Sequence, residues 1–382
     1  MTGPLEGIRI IELAGIGPGP FAGMMLADHG AEVIRVERPG TSDTTDVLQR
    51  SRRSIVVDLK QPDGIQVVLN LCRTADGLIE GLRPGVVERL GLGPKELLTH
   101  NPKLVYGRIT GWGQDGPLSQ AAGHDLNYIA LSGALHPMGR TGEKPPVPLN
   151  LVGDFGGGGM LLAFGMLSAI IAARATGRGQ VVDAAMTEGA ALLAGMFFNP
   201  GKLAGVDAPR GQNVLGGAAH FYDTYETADG EFVTVAAVEP QFHAELLRRL
   251  SLSDDQDFSD QMNPETWPAA KAKLTTLFKT QTRDHWCALL EGTDACFAPV
   301  LSAAEAFYHP HNRARGTFIE AFGVTQPAPA PRYSASATRA PELAAIGADT
   351  VSLLREAGYS EADSARLMDA GAVRPANTKP RE

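Results

Sequence analysis

Two titratable side chains, His124 and Asp154, stand in glycine-flanked stretches of this chain. The first is Gly123-His124-Asp125-Leu126-Asn127-Tyr128; the second is Asn150-Leu151-Val152-Gly153-Asp154-Phe155, followed by glycines at 156–159. A histidine and an aspartate presented on loops, either side of a segment that can fold back on itself, read as an acid/base pair. The four glycines precede an apolar helix predicted over 160–173. A helix N-terminus there would expose backbone N–H groups and favour negative charge, such as a carbonyl oxygen becoming an enolate oxygen. Glycines cost a helix roughly 1 kcal/mol each relative to Ala, which points to a use for close backbone approach. Structural alternatives stand beside these readings: an Asp before an apolar run is also an N-cap, and a single His is also a packing or surface residue.

A third candidate is Glu239, in Val238-Glu239-Pro240-Gln241-Phe242-His243, directly after an apolar strand. A carboxylate there either begins a turn or caps the next helix, or it reaches across a domain boundary to orient His124 and share its proton.

The elements that must position these groups begin with a βαβ unit: a strand over 8–13, the loop Gly15-Ile16-Gly17-Pro18-Gly19-Pro20, a helix over 21–29 and a strand over 32–36. The loop fails the dinucleotide fingerprint, because its glycines follow G-x-G-x-G with prolines inside rather than G-x-G-x-x-G, and this disfavours hydride transfer. Arg38 follows the second strand, where doubly wound folds read a ribose phosphate; it is an anchor for a phosphorylated nucleotide or a solvated arginine. Arg50, Arg52, Arg53, Lys60, Arg83 and Arg89 add positive charge a phosphate-rich ligand could use, with a solvated rim as the alternative for the first three. Strand-like runs at 54–59, 77–80 and 104–109 alternate with helical periodicity at 63–74 and 86–90. The pattern predicts an α/β fold with a mostly parallel sheet and helices on both faces, whose ligands bind beyond the carboxyl ends of the strands.

Further on, 179–186 reads as a strand entering a helix over 188–197. Residues 198–220, rich in Gly, Pro and Asn, read as a linker. Two β-like runs at 221–226 and 231–237 flank Ala228-Asp229-Gly230, a hairpin signal, and helical segments follow near 241–250, 267–280 and 284–291. The division read from this is a large domain over 1–197, a linker over 198–220, a small α+β domain over 221–320, a proline-rich return over 321–339 with an extended linker at 325–332, and helices over 340–357 and 360–370 returning to the large domain within 340–382.

At 382 residues the chain is too long for one ordinary core, in keeping with two domains. Its 34 Lys+Arg against 43 Asp+Glu give a net charge of −9, which argues against nucleic acid as the main partner. Cys72, Cys287 and Cys296 form neither a CxxC spacing nor an even count, as in a reduced intracellular protein. The first residues lack a basic and apolar leader, the apolar stretch over 160–173 is short for a bilayer, and the last four residues match no retention or peroxisomal address. The expectation is a cytoplasmic protein without membrane insertion.

Taken together, Glu12-Leu13-Ala14-Gly15-Ile16-Gly17-Pro18-Gly19-Pro20, the His124 and Asp154 stretches, Glu239-Pro240-Gln241-Phe242, Arg210-Gly211-Gln212-Asn213 and Thr293-Asp294-Ala295-Cys296 resemble the α-methylacyl-CoA racemases, a branch of the family III CoA-transferase superfamily. The resemblance runs through about residue 332, with its motifs in order. It implies a large Rossmann-like, CoA-binding domain and a small domain, with two chains threaded through each other as an interlocked homodimer. It implies that His124, paired with Glu239, flanks one side of the carbon next to a thioester and Asp154 the other, so that a 2-methylacyl-CoA is inverted through an enolate. Acyl-CoA would be held by Arg38, by the backbone of Val57, Asp58, Leu59 and Lys60, by Arg83 and Arg89, and by Gly123, Asp125, Asn127 and Tyr128. No metal and no separate cofactor are implied, CoA being part of the substrate, and an isolated monomer would be inactive. The stretch Leu215-Gly216-Gly217-Ala218-Ala219-His220 departs from the more usual Leu-Asp-Gly-Gly-Ala-Pro, at Gly216 and at His220.

Two other functions fit part of this pattern. In a CoA transfer Asp154 would be a nucleophile and His124 would have no base to be. A catalytically silent acyl-CoA-binding protein would need none of the three acid/base groups.

Overall fold

The computed structural model describes residues 3–42, 45–199 and 209–376. The middle of the predicted linker (200–208), the first two residues, and the last six with the carboxyl-terminal tetrapeptide lie outside the described residues. The chain divides into two compact units, one of 1–132, 148–193 and 313–382, the other of 133–147 and 194–312. The stretch 133–147, read from sequence as part of the first domain, therefore belongs to the second unit.

In the first unit, strand alternation dictates two covered faces. β1 (Arg9–Leu13) sends Ile11 and Leu13 into one core and Ile10 into another. α1 (Pro18–Asp28) follows, with Pro18 and Pro20 in its first turn, where their fixed φ suits a helix start. β2 (Glu32–Glu37) repeats the split, with Ile34 and Val36 on one side and Val33 on the other. β3 (Arg53–Val57), α2 (Pro62–Cys72), β4 (Gly77–Glu80), α3 (Val86–Arg89), α4 (Pro94–His100) and β5 (Val105–Thr110) continue the winding. After α5 (Asp125–Leu131), a wide π-helical stretch, Leu151–Met160, runs directly into α6 (Leu161–Thr176), followed by β6 (Gln180–Ala185) and α7 (Met186–Leu193).

The predicted helix over 160–173 is thus the second half of a longer one, which starts before the glycines rather than after them. The combined run, Leu151–Thr176, is 26 residues long and holds an 18-residue window with a mean hydropathy of 1.8, so by length and composition it could cross a membrane, contrary to the shorter sequence reading. The most apolar window of this run is 44% buried inside the chain.

The second unit holds the hairpin β7 (Tyr222–Glu226) and β8 (Phe232–Ala236), then α8 (Pro240–Arg249), α9 (Trp267–Phe278) and α10 (Arg283–Leu290). β9 (Phe297–Pro299), which its proline hides from a strand search, pairs with β8 in a three-stranded antiparallel sheet, and α11 (Ala303–Tyr308) follows. Val233, Val235, Leu246, Leu274, Phe278 and Trp286 form its core.

The return begins with α12 (Pro310–Arg315). The extended proline linker expected at 325–332 is partly a strand: β10 (Phe318–Ala321) and β11 (Val324–Pro327) make an antiparallel hairpin. Of the helix expected over 340–357, only α13 (Thr350–Glu356) forms, because Pro341 and the positive-φ Gly347 break the pattern; α14 (Glu361–Asp369) and β12 (Val373–Arg374) follow. The sheet of the first unit has the order β12-β3-β2-β1-β4-β5-β6, with β12 antiparallel and the rest parallel. α2, α13 and α14 cover one face, α1 and α6 the other.

Candidate functional site

From β1 the chain builds outward to β2 and β3, then crosses to β4 on the other side of β1. In open parallel sheets the connecting loops part at such a point and leave a crevice at the carboxyl ends of the strands. Here it is a cavity of about 910 Å³, lined by the loops that follow β1, β2, β4 and β5. That is large enough for a ligand bigger than a single amino acid. The loop after β1 closes tightly because Gly17 adopts φ 67°, a left-handed conformation that a side chain would strain, and a Cβ there would stand 3.4 Å from Asp154 Oδ2.

His124, Asp154 and Asn150 share this cavity with Arg38, Arg83, Gly123 and Tyr128. His124 precedes α5 in an extended conformation; its backbone N–H donates to Asn127 Oδ1 (3.1 Å) while its carbonyl accepts from the Asn127 N–H (2.8 Å). His124 is exposed and lines the cavity, and its side chain completes a capping box with the Asn127 N–H. Asp154 is half-buried, and Asn150 Nδ2 donates to its Oδ2 at 3.3 Å. Burial pushes the Asp154 carboxyl above the usual carboxylate range; the Asn150 hydrogen bond and the charge of His124 pull it down, and the neighbouring Asp125 pushes it up. Tyr128 turns its edge to Trp112 (4.8 Å between centroids) and donates its hydroxyl to the Gly123 carbonyl, so the histidine's flank is rigid.

Several expected ligand residues have other tasks. Asp125 is buried, and its Oδ2 accepts from the backbone N–H of Gly153 (2.6 Å) and Asp154 (2.7 Å); it caps the helix carrying Asp154 instead of facing the cavity. Asn127 caps α5 around His124. Val57 is buried in β3, the Asp58 N–H is taken by the Ala372 carbonyl (2.9 Å), the Lys60 N–H by Asp58 Oδ1 (3.0 Å), and these residues, Leu59 and Arg89 lie outside the cavity wall.

The glycines at 156–159 do not form a free helix N-terminus for an oxyanion. They lie inside the helix, and two of its first four N–H groups, those of Gly153 and Asp154, already meet Asp125. Their use is close packing: a Cβ at Gly157 would stand 2.6 Å from Ala190 N, and one at Gly159 would stand 2.7 Å from Pro18 O. The run lets the helix that carries Asp154 approach both α7 and α1.

Arg50 and Arg52 are buried in ion pairs rather than placed on a solvated rim, and Arg53 is partly exposed. Arg50 is buried on Asp28 (2.6 Å), and Arg52 on Glu12 (2.7 Å), whose other oxygen holds Arg35 (2.5 Å). Arg53 pairs with Glu32 (2.5 Å), Asp349 (3.3 Å) and Glu356 (2.8 Å). Sequence alone did not single out Asn150 or the Ile16–Gly17 loop as parts of the site; the signal for the loop was its place after the first strand of a parallel sheet. Among the described residues, no three His, Cys, Asp or Glu side chains gather as metal ligands would. Glu239 belongs to the second unit, where it is the N-cap residue of α8.

Residues 5–348 match the family model described as CoA-transferase family III. α-Methylacyl-CoA racemase from Mus musculus is 47% identical over 369 residues, 95% of this chain and 96% of that protein. The protein of the same name from Homo sapiens is 45% identical over 366 residues, again 95% of this chain and 96% of that protein. Among solved structures, a CAIB/BAIF family protein from Brucella suis aligns with a TM-score of 0.79 at 24% identity, covering 94% of this chain and 100% of that one, a likeness of fold. With the family pattern spanning nearly the whole chain and relatives of this identity over nearly all their length, the chain belongs to family III of the CoA-transferases.

Proposed function

We propose that this enzyme epimerises 2-methylacyl-CoA thioesters by moving the α-proton through an enolate. One of His124 and Asp154 removes the α-proton, the C–H electron pair moves into the C–C bond, and the charge settles on the thioester oxygen. The other group returns a proton to the opposite face, and the bond from carbon to the CoA sulfur stays intact. Glu239 orients the His124 imidazole and stabilises its charged form. The observation that carries the reading is that an exposed imidazole and a carboxyl raised by burial share one cavity, since a group that both takes and returns a proton works best with its pKa near the operating pH.

Arg38 and Arg83 bind the phosphates of CoA from the cavity rim. The turn at 58–60 follows β3, the strand next to β2, so a nucleotide seated on Arg38 reaches it across one strand spacing of about 4.8 Å. The working form is an interlocked homodimer. Phe164 and Ile171, each 70% exposed in one chain, and Leu192, 68% exposed, give the first unit an apolar face of the kind that monomers seldom leave bare. Light scattering at micromolar concentration should return twice the mass of one chain, and a monomer would remove this part of the reading.

The deciding experiment is proton NMR of a (2S)-2-methylacyl-CoA incubated with the protein in D₂O beside a free carboxylic acid. Loss of the α-proton signal with appearance of the R epimer, and no new thioester, supports the epimerase. A thioester of the added acid with the α-proton retained makes Asp154 a nucleophile and the enzyme a transferase.

A further inference from the structure

Glu239 sits on a turn whose two flanks are held by other residues of the second unit. Upstream, the Ala237 N–H donates to the Phe221 carbonyl (2.9 Å), and Gln261 Nε2 donates to the carbonyls of Ala237 (3.0 Å) and Val238 (2.9 Å). Gln261 is itself tied down, since its carbonyl accepts from Trp267 Nε1 (2.8 Å). Downstream, the His243 N–H donates to the Glu239 carbonyl (3.0 Å), and His243 Nε2 lies 2.9 Å from His220 Nε2.

Both imidazoles are inside the unit, His220 at 0% and His243 at 5% exposure. The His220 ring meets the edges of Phe221 and Phe258, and its carbonyl accepts from the Tyr225 hydroxyl (2.6 Å). Two ring nitrogens at this distance form a hydrogen bond only when one carries a proton and the other does not. Burial holds both imidazoles neutral, His220 down at about 3 and His243 at about 4, so the bond persists through the neutral range. In an apolar pocket such a bond is directional where packing alone is not, and it fixes the first turn of α8 to the strand entry at 220–221. His220 is also a position where the chain departs from the more usual sequence of the family it resembles.

We propose that the His220–His243 pair and Gln261 are positioning residues for Glu239, bracing its turn from both sides so that its carboxylate is delivered in one place. The proposal rests on Glu239 acting in the reaction. A displacement of about 1 Å in such a group costs up to 100-fold in rate.

The test is α-proton exchange of a 2-methylacyl-CoA in D₂O by the full-length chain. His243→Leu should lower kcat about 10-fold or more with KM within about two-fold. His243→Gln, whose amide reaches the place of Nε2, should recover most of the loss. On a Glu239→Gln background His243→Leu should add nothing, because the two act through one group. Gln261→Met, which disturbs the other flank without touching the histidine pair, should also lower kcat at unchanged KM. Equal rates for His243→Leu and His243→Gln, or additive losses with Glu239→Gln, overturn the brace. Full activity in Glu239→Gln itself overturns the reading of Glu239, and any loss in His243→Leu is then global destabilisation, seen as a matching loss in Gln261→Met together with lowered melting temperatures.

Discussion

The carboxylate of Asp125 holds the main chain of Asp154: one oxygen accepts from the backbone N–H groups of Gly153 and Asp154, at 2.6 and 2.7 Å, from a buried position one residue after His124. The two acid/base candidates are therefore mechanically linked, since the residue that starts α5 beside the imidazole also caps the helix bearing the carboxyl. Asp125→Ala leaves two backbone donors unpaired and should cost about 1–3 kcal/mol of stability along with about 10-fold or more in proton exchange. Asp125→Asn, which keeps an accepting oxygen, should lose less of both. Thermal melts and exchange in D₂O measure the two effects side by side.

His124→Ala or Asp154→Ala should abolish epimerisation, a loss of at least about 10²-fold, while CoA affinity stays close to that of the wild type. Isothermal titration with CoA separates the two quantities. A parallel loss of CoA binding in both variants would make these residues structural.

Burial raises the Asp154 carboxyl above the usual carboxylate range, and the hydrogen bond from Asn150 restrains the rise. The direction in which Asp154 is the base needs it ionised, so the acid limb of kcat/KM should lie above the range of an ordinary aspartate. Asn150→Ala should shift that limb further upward. A limb that stays in place in Asn150→Ala would remove Asn150 from the site.

Arg52 is buried against Glu12 and also donates to the carbonyls of Leu48 and Pro20, the latter in the first turn of α1. Arg52→Met leaves Glu12 with Arg35 as its remaining ion-pair partner in a dry interior and should destabilise the fold by about 3 kcal/mol or more. Urea denaturation reads this directly. A loss confined to CoA affinity, with stability intact, would restore Arg52 as a phosphate ligand.

The His220–His243 pair also predicts a stability profile. Each imidazole is held below its ordinary pKa of 6.5, so at acid pH the unfolded chain binds protons that the folded chain refuses. The pair's contribution is complete above about pH 6.5 and is lost as the pH falls toward 4 and then 3. The melting temperature should drop by about 5 °C or more over that window, and His220→Phe combined with His243→Leu should flatten the slope.

The amino-acid sequence by itself determined the parallel α/β architecture, because apolar alternation and helical periodicity are local patterns that a chain cannot satisfy in many ways. It also determined the identities of His124, Asp154 and Glu239 as the groups worth testing, since their residue types and glycine or proline neighbours are visible without coordinates. Arg38 was legible for the same reason, as the residue directly after the second strand. Only the tertiary structure decided what the remaining charges do. Arg50 and Arg52 look like a basic patch in sequence, but their partners, Asp28 and Glu12, are 22 and 40 residues away and meet them only when the sheet is wound. Asp125 has the composition of a ligand residue and becomes a cap because the helix it serves begins 26 residues later. The glycines at 156–159 suggest an open anion site, and packing of α7 and α1 against them turns that freedom into contact. A carboxylate or a glycine has no fixed role until the fold supplies its neighbour, and long-range neighbours leave no periodic mark in the sequence.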